Sequence, residues 1–184
     1  MQATKLGIEG LLLIHPKVFG DQRGFFYESW NQAKYNEIGI PENFTQDNIS
    51  FSQKGVLRGL HFQNPFAQGK LVTVLNGEVL DVAVDLRKNS PTYGKHEKVV
   101  LSSENKKQLY IPPGFAHGFM VWSETALFTY KCTEYYHPET ENTLMWNDDE
   151  LAINWFSPNE KFQPIVSEKD RQGCFFNSIG SISC

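Results

Sequence analysis

The chain has 184 residues, 40% of them hydrophobic and 14% aromatic, which predicts one domain over residues 1–184 with a sizeable core. Its formal net charge of -4 excludes a general electrostatic attraction to nucleic acid or to anionic membranes, so neither is an expected partner. The longest apolar run near the start, Leu11–Ile14, is far short of the ~20 residues that span a bilayer, so we expect no membrane segment.

Short strands dominate the predicted secondary structure. Apolar and polar residues alternate over many short segments, and turn signals such as Ser90-Pro91 and Pro112-Pro113-Gly114 separate many of them. In chain order, the predicted strands are Leu11–Ile14, Phe25–Trp30, Thr45–Phe51, Val56–Phe62, Lys70–Leu75, Glu78–Leu86, Lys98–Ser102, Gln108–Ile111, Gly118–Trp122 and Ala126–Thr133.

Helix is expected in few places. Residues 31–38 predict one short helix, with Ser29 as its N-cap and Gly39 as its end. Residues 147–151 and 167–171 each predict a single helical turn. The sequence of the tail, residues 171–184, lets us assign it no role.

The pair Asn76-Gly77 lies between the fifth and sixth predicted strands. Both residues tolerate positive φ, and this dipeptide is the strongest short signal for a β-hairpin. We therefore expect these two strands to pair with each other.

The sixth predicted strand has two unlike faces. Leu80, Val82, Val84 and Leu86 share an apolar face, while the opposite face, 79–85 in odd numbers, is half polar. A mixed face suits a strand that lines a cavity or meets water. Together with the scarcity of helix, this predicts an all-β fold, an antiparallel sandwich or barrel of jelly-roll type.

The cysteines indicate a reducing compartment. Cys132, Cys174 and Cys184 are odd in number and lack CxxC spacing, which does not suit a disulfide framework. We expect a cytoplasmic protein.

The segment IPPGFAHGF, residues 111–119, resembles the second motif of cupins. Pro112, Gly114 and His117 have the spacing P-x-G-x-x-H, although a proline-rich turn with a hydrogen-bonded histidine also fits. Many cupins bind a metal with that histidine and with an H-x-H pair, but here the corresponding place reads His61-Phe62-Gln63. Because such metals usually need at least three protein ligands, we predict no metal and histidines free for acid–base chemistry.

The segment GVLRGLHFQN, residues 55–64, places Arg58 and His61 three residues apart among apolar residues. An arginine there either extends to the surface or binds an anion in a cavity, and Arg23 and Lys70 are further cations beside predicted strands. Odd spacing on a regular strand would put Arg58 and His61 on opposite faces. A bulge at Gly59 would bring both side chains to one side.

Tyrosines cluster in FTYKCTEYYHPETE, residues 128–141. A phenol can donate a proton and an aromatic ring can stack on a base, whereas packing in the core or at the surface is the ordinary role of such residues.

These segments together resemble the dTDP-4-dehydrorhamnose 3,5-epimerase family. The resemblance runs from about residue 10 to 170 and includes FGDQRGFFYESW, FTQDNIS, RGLHFQ, KLVTVLNGEVLDVAVDLRKNSPTYGKHEKVVLSSENKKQLYIPPGFAHGF, YKCTEYYHPETE and SEKD. It implies a cupin fold, an isomerase of dTDP-L-rhamnose synthesis that acts on dTDP-4-dehydro-6-deoxy-D-glucose without a cofactor, and a homodimer. The family often reads GLHYQ where this chain has GLHFQ.

The resemblance also implies catalytic roles. His61 would be the general base, Asp170 would orient its imidazole, Tyr130 would be the acid on the opposite face of the sugar, and Lys70 would stabilise the enolate. The positions implied for substrate binding are Arg23, Glu28, Gln46, Asp47, Asn48, Arg58, His117, Tyr136, Glu141 and Lys169. Arg23 and Arg58 would hold the diphosphate and Tyr136 would stack on thymine, with some groups supplied by the partner subunit.

The implied chemistry needs only a base and an acid. A ketone at C4 acidifies the protons on C3 and C5, and a cation or hydrogen bond at O4 stabilises the enolate. An imidazole, with an ordinary pKa near ~6.5, can remove the proton, and a phenol near ~10 can return one from the other face.

Three alternatives remain open. An epimerase that acts at C3 or C5 alone would keep the same base and nucleotide contacts. A metal-dependent cupin would need ligands beyond the incomplete H-x-H. A non-catalytic nucleotide-sugar binder would not require His61, Asp170 and Tyr130 together.

Overall fold

The computed structural model describes residues 1–157 and 163–181. Within these ranges the strands are β1 (Gln2–Lys5), β2 (Leu12–His15), β3 (Phe19–Asp21), β4 (Gly24–Phe26), β5 (Gln46–Gln53), β6 (Leu57–Gln63), β7 (Lys70–Asn76), β8 (Glu78–Asp85), β9 (His96–Ser102), β10 (Gln108–Ile111), β11 (Phe115–Val121), β12 (Thr125–Cys132) and β13 (Glu141–Thr143). The helices are α1 (Gln32–Glu37), α2 (Glu168–Arg171) and the 3₁₀ segments Pro138–Thr140 and Phe176–Ser181.

The strands form two main antiparallel sheets and a small hairpin. The six-stranded sheet has the order β1-β2-β10-β7-β12-β5, the five-stranded sheet has the order β13-β6-β11-β8-β9, and β3 pairs only with β4. Consecutive strands often lie in different sheets, as in a jelly roll. This confirms the all-β fold class expected from the sequence.

Apolar side chains from both sheets meet between them. Val72 and Phe128 of the six-stranded sheet and Ala83 and Leu101 of the five-stranded sheet are fully buried in one cluster. Polar residues from both sheets line a cavity that opens between them.

The outer faces are covered by different parts of the chain. Helix α1 places Tyr35 against Leu12 and Leu71 of the six-stranded sheet. The C-terminal segments pack Trp155 and Phe176 against the five-stranded sheet, including the apolar face of β8. Burial of each large apolar side chain stabilises the fold by on the order of 1.5–3 kcal/mol, so these layers are integral to its stability.

The predicted hairpin at Asn76-Gly77 is wrong. Strand β7 belongs to the six-stranded sheet and β8 to the five-stranded sheet, so the dipeptide carries the chain from one sheet to the other. Gly77 has φ 82°, and a Cβ there would lie 2.0 Å from the carbonyl oxygen of Thr125. The glycine therefore serves a tight crossing between layers, a use that local sequence does not distinguish from a hairpin.

Helix predictions were confirmed in part. Helix α1 begins after Asn31, whose side chain accepts from the amide of Lys34, rather than after Ser29; Gly39, with φ 98°, follows its end as predicted. Helix α2 was expected and is capped by Ser167. Residues 147–151 form turns only, because the Asp148 carboxylate binds nearby backbone amides.

Strand predictions failed mainly for short elements. The strand expected at Phe25–Trp30 ends at Phe26, after which the chain turns so that Trp30 packs on Tyr35. Strands β1, β3 and β13 were missed because each has only three or four residues and at most one hydrophobic residue among them, unlike the four-residue strands β2 and β10.

Within the described residues, no helix is both long and apolar enough to cross a membrane. Cys132 and Cys174 are free thiols, and Cys184 lies outside the described residues.

Candidate active site

A cavity of about 370 Å³ opens between the two sheets. Each sheet supplies one wall. From the six-stranded sheet come Gln46, Asn48, Ser50, Lys70, Phe128 and Tyr130, and from the five-stranded sheet Arg58, His61, Phe62, Gln63, His117, Gly118, Phe119 and Glu141. Gln68 and Tyr136 reach the cavity from loops. Nine of the residues predicted from the sequence meet here.

A bulge in β6 explains how Arg58 and His61 reach one cavity. His61 pairs with His117, but Arg58 pairs with Phe119, so three steps on β6 oppose two steps on β11. Gly59 has φ 115°, and a Cβ there would lie 2.6 Å from Gly118 Cα. The extra residue reverses the parity of the strand, as the odd spacing required.

His61 is held by a buried carboxylate. Its Nε2 lies 2.5 Å from Oδ1 of Asp170, whose side chain is 4% exposed, while the imidazole is 28% exposed. Burial opposes ionisation of Asp170, but hydrogen bonds from His61 and Ser167 outweigh it and lower the pKa of the carboxyl. The ionised carboxylate fixes the proton on Nε2, which leaves the lone pair on Nδ1.

Two main-chain bridges fix Asp170 behind β6. Before helix α2, Ile165 pairs with Val56 at the start of β6, and after it Cys174 pairs with Leu144 beyond β13. The tail continues with Phe176, whose amide donates to Asp148 at 2.7 Å and whose ring is buried. The tail, to which the sequence assigned no role, thus anchors the segment that carries Asp170.

Tyr130 and Lys70 occupy the opposite wall. Burial raises the pKa of Tyr130 to about 12, so its phenol is a proton donor at neutral pH. Lys70 Nζ lies 5.9 Å from the centre of that ring, and no carboxylate of the described residues lies within salt-bridge distance of it. Burial lowers the pKa of Lys70, against the opposing effects of Cys132 and Asp81. In either protonation state its nitrogen can donate a hydrogen bond.

A second histidine–carboxylate pair lies beside the first. His117 Nε2 is 3.0 Å from both oxygens of Asp81, which is fully buried on the mixed face of β8. Burial lowers the pKa of His117, and the Asp81 charge opposes that shift. The sequence predicted a cavity or water beside the mixed face of β8, but no residue of β8 is among the described residues that line the cavity. Asp81 is fully buried and acts on the cavity only through His117.

A polar cluster closes the cavity near Tyr136. The Tyr136 hydroxyl donates to Glu141 Oε2 at 2.6 Å, and Lys169 donates to the same oxygen. Burial opposes the ionisation of Glu141, but these donors lower the pKa of the carboxyl overall. Arg58 Nε donates to Ser52 Oγ at 3.0 Å, and this exposed side chain supplies a further cation at the cavity.

Five predicted residues are not among those that line this cavity. Asp170 and Lys169 contact its lining residues His61 and Glu141, and the other three lie elsewhere. Arg23 is 84% exposed and pairs with Asp21 on the β3–β4 hairpin. Glu28 pairs with Lys34 of α1. Asp47 pairs with Lys131 on the outer face of β5, because alternation turns it away from the cavity that Gln46 and Asn48 line.

Sequence reasoning missed several members of the cavity. Gln63 could have been found from its position two residues after His61 on the same strand face, and Asp81, which holds the cavity residue His117, from the mixed face of β8. Gln68 and Phe119 carry no local signal and come to the cavity only through the fold. No group of three or more His, Cys, Asp or Glu side chains in the described parts of the chain is arranged to hold a metal ion.

Comparison with known proteins gives consistent matches over almost the whole chain. The sequence model of the family described as dTDP-4-dehydrorhamnose 3,5-epimerase matches residues 5–178. A dTDP-4-dehydrorhamnose 3,5-epimerase of Pseudomonas aeruginosa is 55% identical over 177 residues, which cover 96% of each chain.

Solved structures agree. A dTDP-6-deoxy-D-glucose-3,5-epimerase of Legionella pneumophila in complex with dTDP-4-keto-L-rhamnose superposes with a TM-score of 0.93 at 52% identity, covering 98% of this chain and 95% of that one. A 3'-monoepimerase of Streptomyces bikiniensis in complex with dTDP-quinovose has a TM-score of 0.88 at 28% identity, with 96% and 89% covered. The fold alone therefore does not separate double from single epimerases.

Proposed function

This chain belongs to the family of dTDP-4-dehydrorhamnose 3,5-epimerases, a family of isomerases, and from that premise we propose that it converts dTDP-4-dehydro-6-deoxy-D-glucose into dTDP-4-dehydro-L-rhamnose. One observation carries the proposal for the chemistry. A histidine held by a buried carboxylate stands on one wall of the cavity, and a half-buried, protonated phenol stands on the other.

The two walls suit inversion of a carbon next to a ketone. His61, with Asp170 as its counter-charge, removes the proton from C3 or C5, and the electrons move into the C4 carbonyl as an enolate. Lys70 donates to O4 and stabilises that charge. Tyr130 then protonates the carbon from the opposite face, which inverts it. Each positioned proton-transfer group contributes roughly 10²- to 10⁴-fold.

The remaining polar residues suit the nucleotide diphosphate. Arg58 presents a guanidinium for phosphate, and Tyr136 presents a ring at the cavity for stacking on the base. Glu141 accepts from the Tyr136 hydroxyl and from Lys169, while Gln46 and Asn48 line the wall beside it. His117, fixed by Asp81, adds a hydrogen-bonding group next to His61.

We also propose a cytoplasmic homodimer. Ile49 and Phe51 project from the outer face of edge strand β5, and Phe25 and Phe26 project from the hairpin; all four are strongly exposed in one chain. Apolar surface of this kind marks an interface. Arg23 stands on the same hairpin, outside its own cavity, and would reach the cavity of the partner.

Subunit complementation tests the dimer. Arg23→Ala and His61→Ala are each expected to be nearly inactive alone. In a mixed and reassociated sample, hybrid dimers contain one intact cavity, so about a quarter of wild-type activity should return. Activity that stays at the level of the single variants would contradict a shared cavity, as would a monomer in sedimentation analysis.

Proton exchange tests the reaction. The EDTA-treated protein is incubated with dTDP-4-keto-6-deoxy-D-glucose in D₂O, and H3 and H5 are followed by NMR. Exchange at both positions, abolished in His61→Ala, supports the double epimerase. Exchange at one position indicates a single epimerase. Exchange only after iron or manganese is added contradicts the metal-free mechanism, and no exchange under any condition leaves a nucleotide-sugar binder.

A further inference from the structure

Three glutamine side chains hold the loop that carries Tyr136. This loop, residues 134–137, follows β12 and has no regular hydrogen-bonded structure. Gln46 Oε1 accepts from the Tyr136 amide at 2.8 Å, and Gln68 Nε2 donates to the Glu134 carbonyl at 2.9 Å. The third glutamine, Gln63, makes the most contacts with the loop.

The side-chain amide of Gln63 forms hydrogen bonds with main-chain groups through both its nitrogen and its oxygen. Nε2 donates to the carbonyl oxygens of Tyr135, at 3.1 Å, and Phe66, at 2.8 Å, and Oε1 accepts from the His137 amide at 2.9 Å. Both N–H groups are therefore occupied, so the side chain has no donor left for a ligand. It is buried at 5% exposure although it borders the cavity.

The contacts join two loops into one wall of the cavity mouth. Phe66 stacks on the His137 ring with centroids 4.4 Å apart, so the loops before β7 and after β12 also meet through their side chains. Replacement of Gln63 by an apolar residue would leave two carbonyls and one amide without their partner in a partly buried place.

Gln63 and His61 lie two residues apart on the same face of β6, about 7 Å along the strand. The strand that carries the general base therefore also sets the position of the Tyr136 loop. A substrate held at one end by that loop has its sugar placed relative to His61 by this single rigid element.

We propose that Gln63 is a positioning residue that fixes the Tyr136 loop for a nucleoside diphosphate, so that the attached sugar meets His61 in register. The inference rests on the proposed function for the identity of the sugar. The role in nucleotide binding stands apart from it and can be measured without turnover.

The experiment compares Gln63→Met with wild type. Methionine keeps length and neutrality while it removes the three hydrogen bonds, so added charge cannot explain weaker binding of an anion. Asn105→Leu is the matched control, since the Asn105 amide also makes three main-chain hydrogen bonds, with Val100, Ser102 and Lys107, in the turn between β9 and β10.

Binding of dTDP is measured by calorimetry, and exchange of backbone amides is measured in peptides spanning residues 134–137. We expect Gln63→Met to weaken dTDP binding by about tenfold or more and to speed amide exchange in the loop, while peptides of β12 remain as in wild type. Asn105→Leu should bind dTDP like wild type. In turnover, KM should rise in Gln63→Met and kcat should fall as well, because a loosened loop holds the sugar less well in register with His61.

Unchanged dTDP affinity in folded Gln63→Met would overturn the proposal, as would faster exchange throughout the sheets with no preference for the loop. If Gln63→Met does not fold, Gln68→Ala, at a half-buried position, removes one contact with the same loop and should speed exchange in residues 134–137 alone; no change there would also overturn it. Normal dTDP binding by wild type without H3 or H5 exchange would refute the proposed reaction and leave the role of Gln63 in place.

Discussion

Replacement of Asp170 by asparagine separates the orientation of His61 from the counter-charge that Asp170 provides. The two side chains have the same shape, so the amide oxygen of the introduced asparagine can still accept from His61 Nε2. The position is buried and carries two further bonds, from Ser167 and the backbone of Gly59, which hold the side chain in place. The variant therefore removes mainly the negative charge.

The loss can be estimated from the geometry. Opposite charges about 4 Å apart attract by about 4 kcal/mol at an effective dielectric constant near 20. The imidazole is 28% exposed, so solvent screening reduces this contribution. A remaining effect of about 3 kcal/mol on the protonated imidazole that forms during reaction corresponds to a loss of about 10²-fold in kcat.

The assay is the rate of H3 and H5 exchange in D₂O together with dTDP binding. We expect Asp170→Asn to lose rate at saturating substrate and to bind dTDP as wild type does. Glu168→Gln is the control, because Glu168 lies on the exposed side of the same helix and contacts Gln172 rather than His61. A kcat within about threefold of wild type in Asp170→Asn would refute the role of the charge.

Three further predictions follow from the structure. Tyr130→Phe should keep proton exchange by His61 but slow formation of the inverted product by about 10²- to 10⁴-fold, and rapid product formation by the variant would contradict this assignment. Because burial raises the pKa of Tyr130 to about 12, ionisation of the phenol should not reduce wild-type turnover below about pH 11. Burial opposes ionisation of Asp85, but bonds from Arg87 and two hydroxyls hold its pKa at about 2. The ionised Asp85 carboxylate therefore stabilises the fold above the unfolded pKa near 3.8, and this contribution is lost as pH falls towards 2. In urea denaturation, Asp85→Asn should lower the free energy of unfolding by about 2 kcal/mol at pH 7 and by little near pH 2. An equal cost at both pH values would contradict the argument. Gly59→Ala should destabilise the fold by more than about 2 kcal/mol in thermal melts, since the added Cβ would lie 2.6 Å from the β11 main chain. Gly24→Ala should cost less, because a Cβ at that position meets no atom within 4 Å. Similar melting temperatures for the two variants would argue against the bulge.

Much of the architecture could be predicted from alternation along the chain. Strands such as β6, β7, β8 and β12 each have seven or eight residues, enough for a period of two to appear. Strands of three residues contain no such pattern, and β13 was missed for that reason. The Asn76-Gly77 turn shows a second limit, because the same positive φ serves a hairpin or a crossing between sheets.

Candidate chemistry was also partly visible. His61, Tyr130 and Lys70 belong to motifs that the sequence displays, and their strands point them into the cavity. The opposite outcome for Asp47 follows from alternation, since its neighbours Gln46 and Asn48 take the inner face. A run of adjacent polar residues on a strand cannot all face one ligand.

The amino-acid sequence by itself determined which residue types the site would contain and that they would stand on short antiparallel strands, because side-chain chemistry and period-two alternation are local properties. Only the tertiary structure decided that Asp170 meets His61 across 109 positions of sequence, that Asp81 meets His117, and that Gln63 holds the Tyr136 loop. Such contacts depend on which strands become neighbours in the two sheets. That choice is made by burial of the whole core, and no local pattern encodes it.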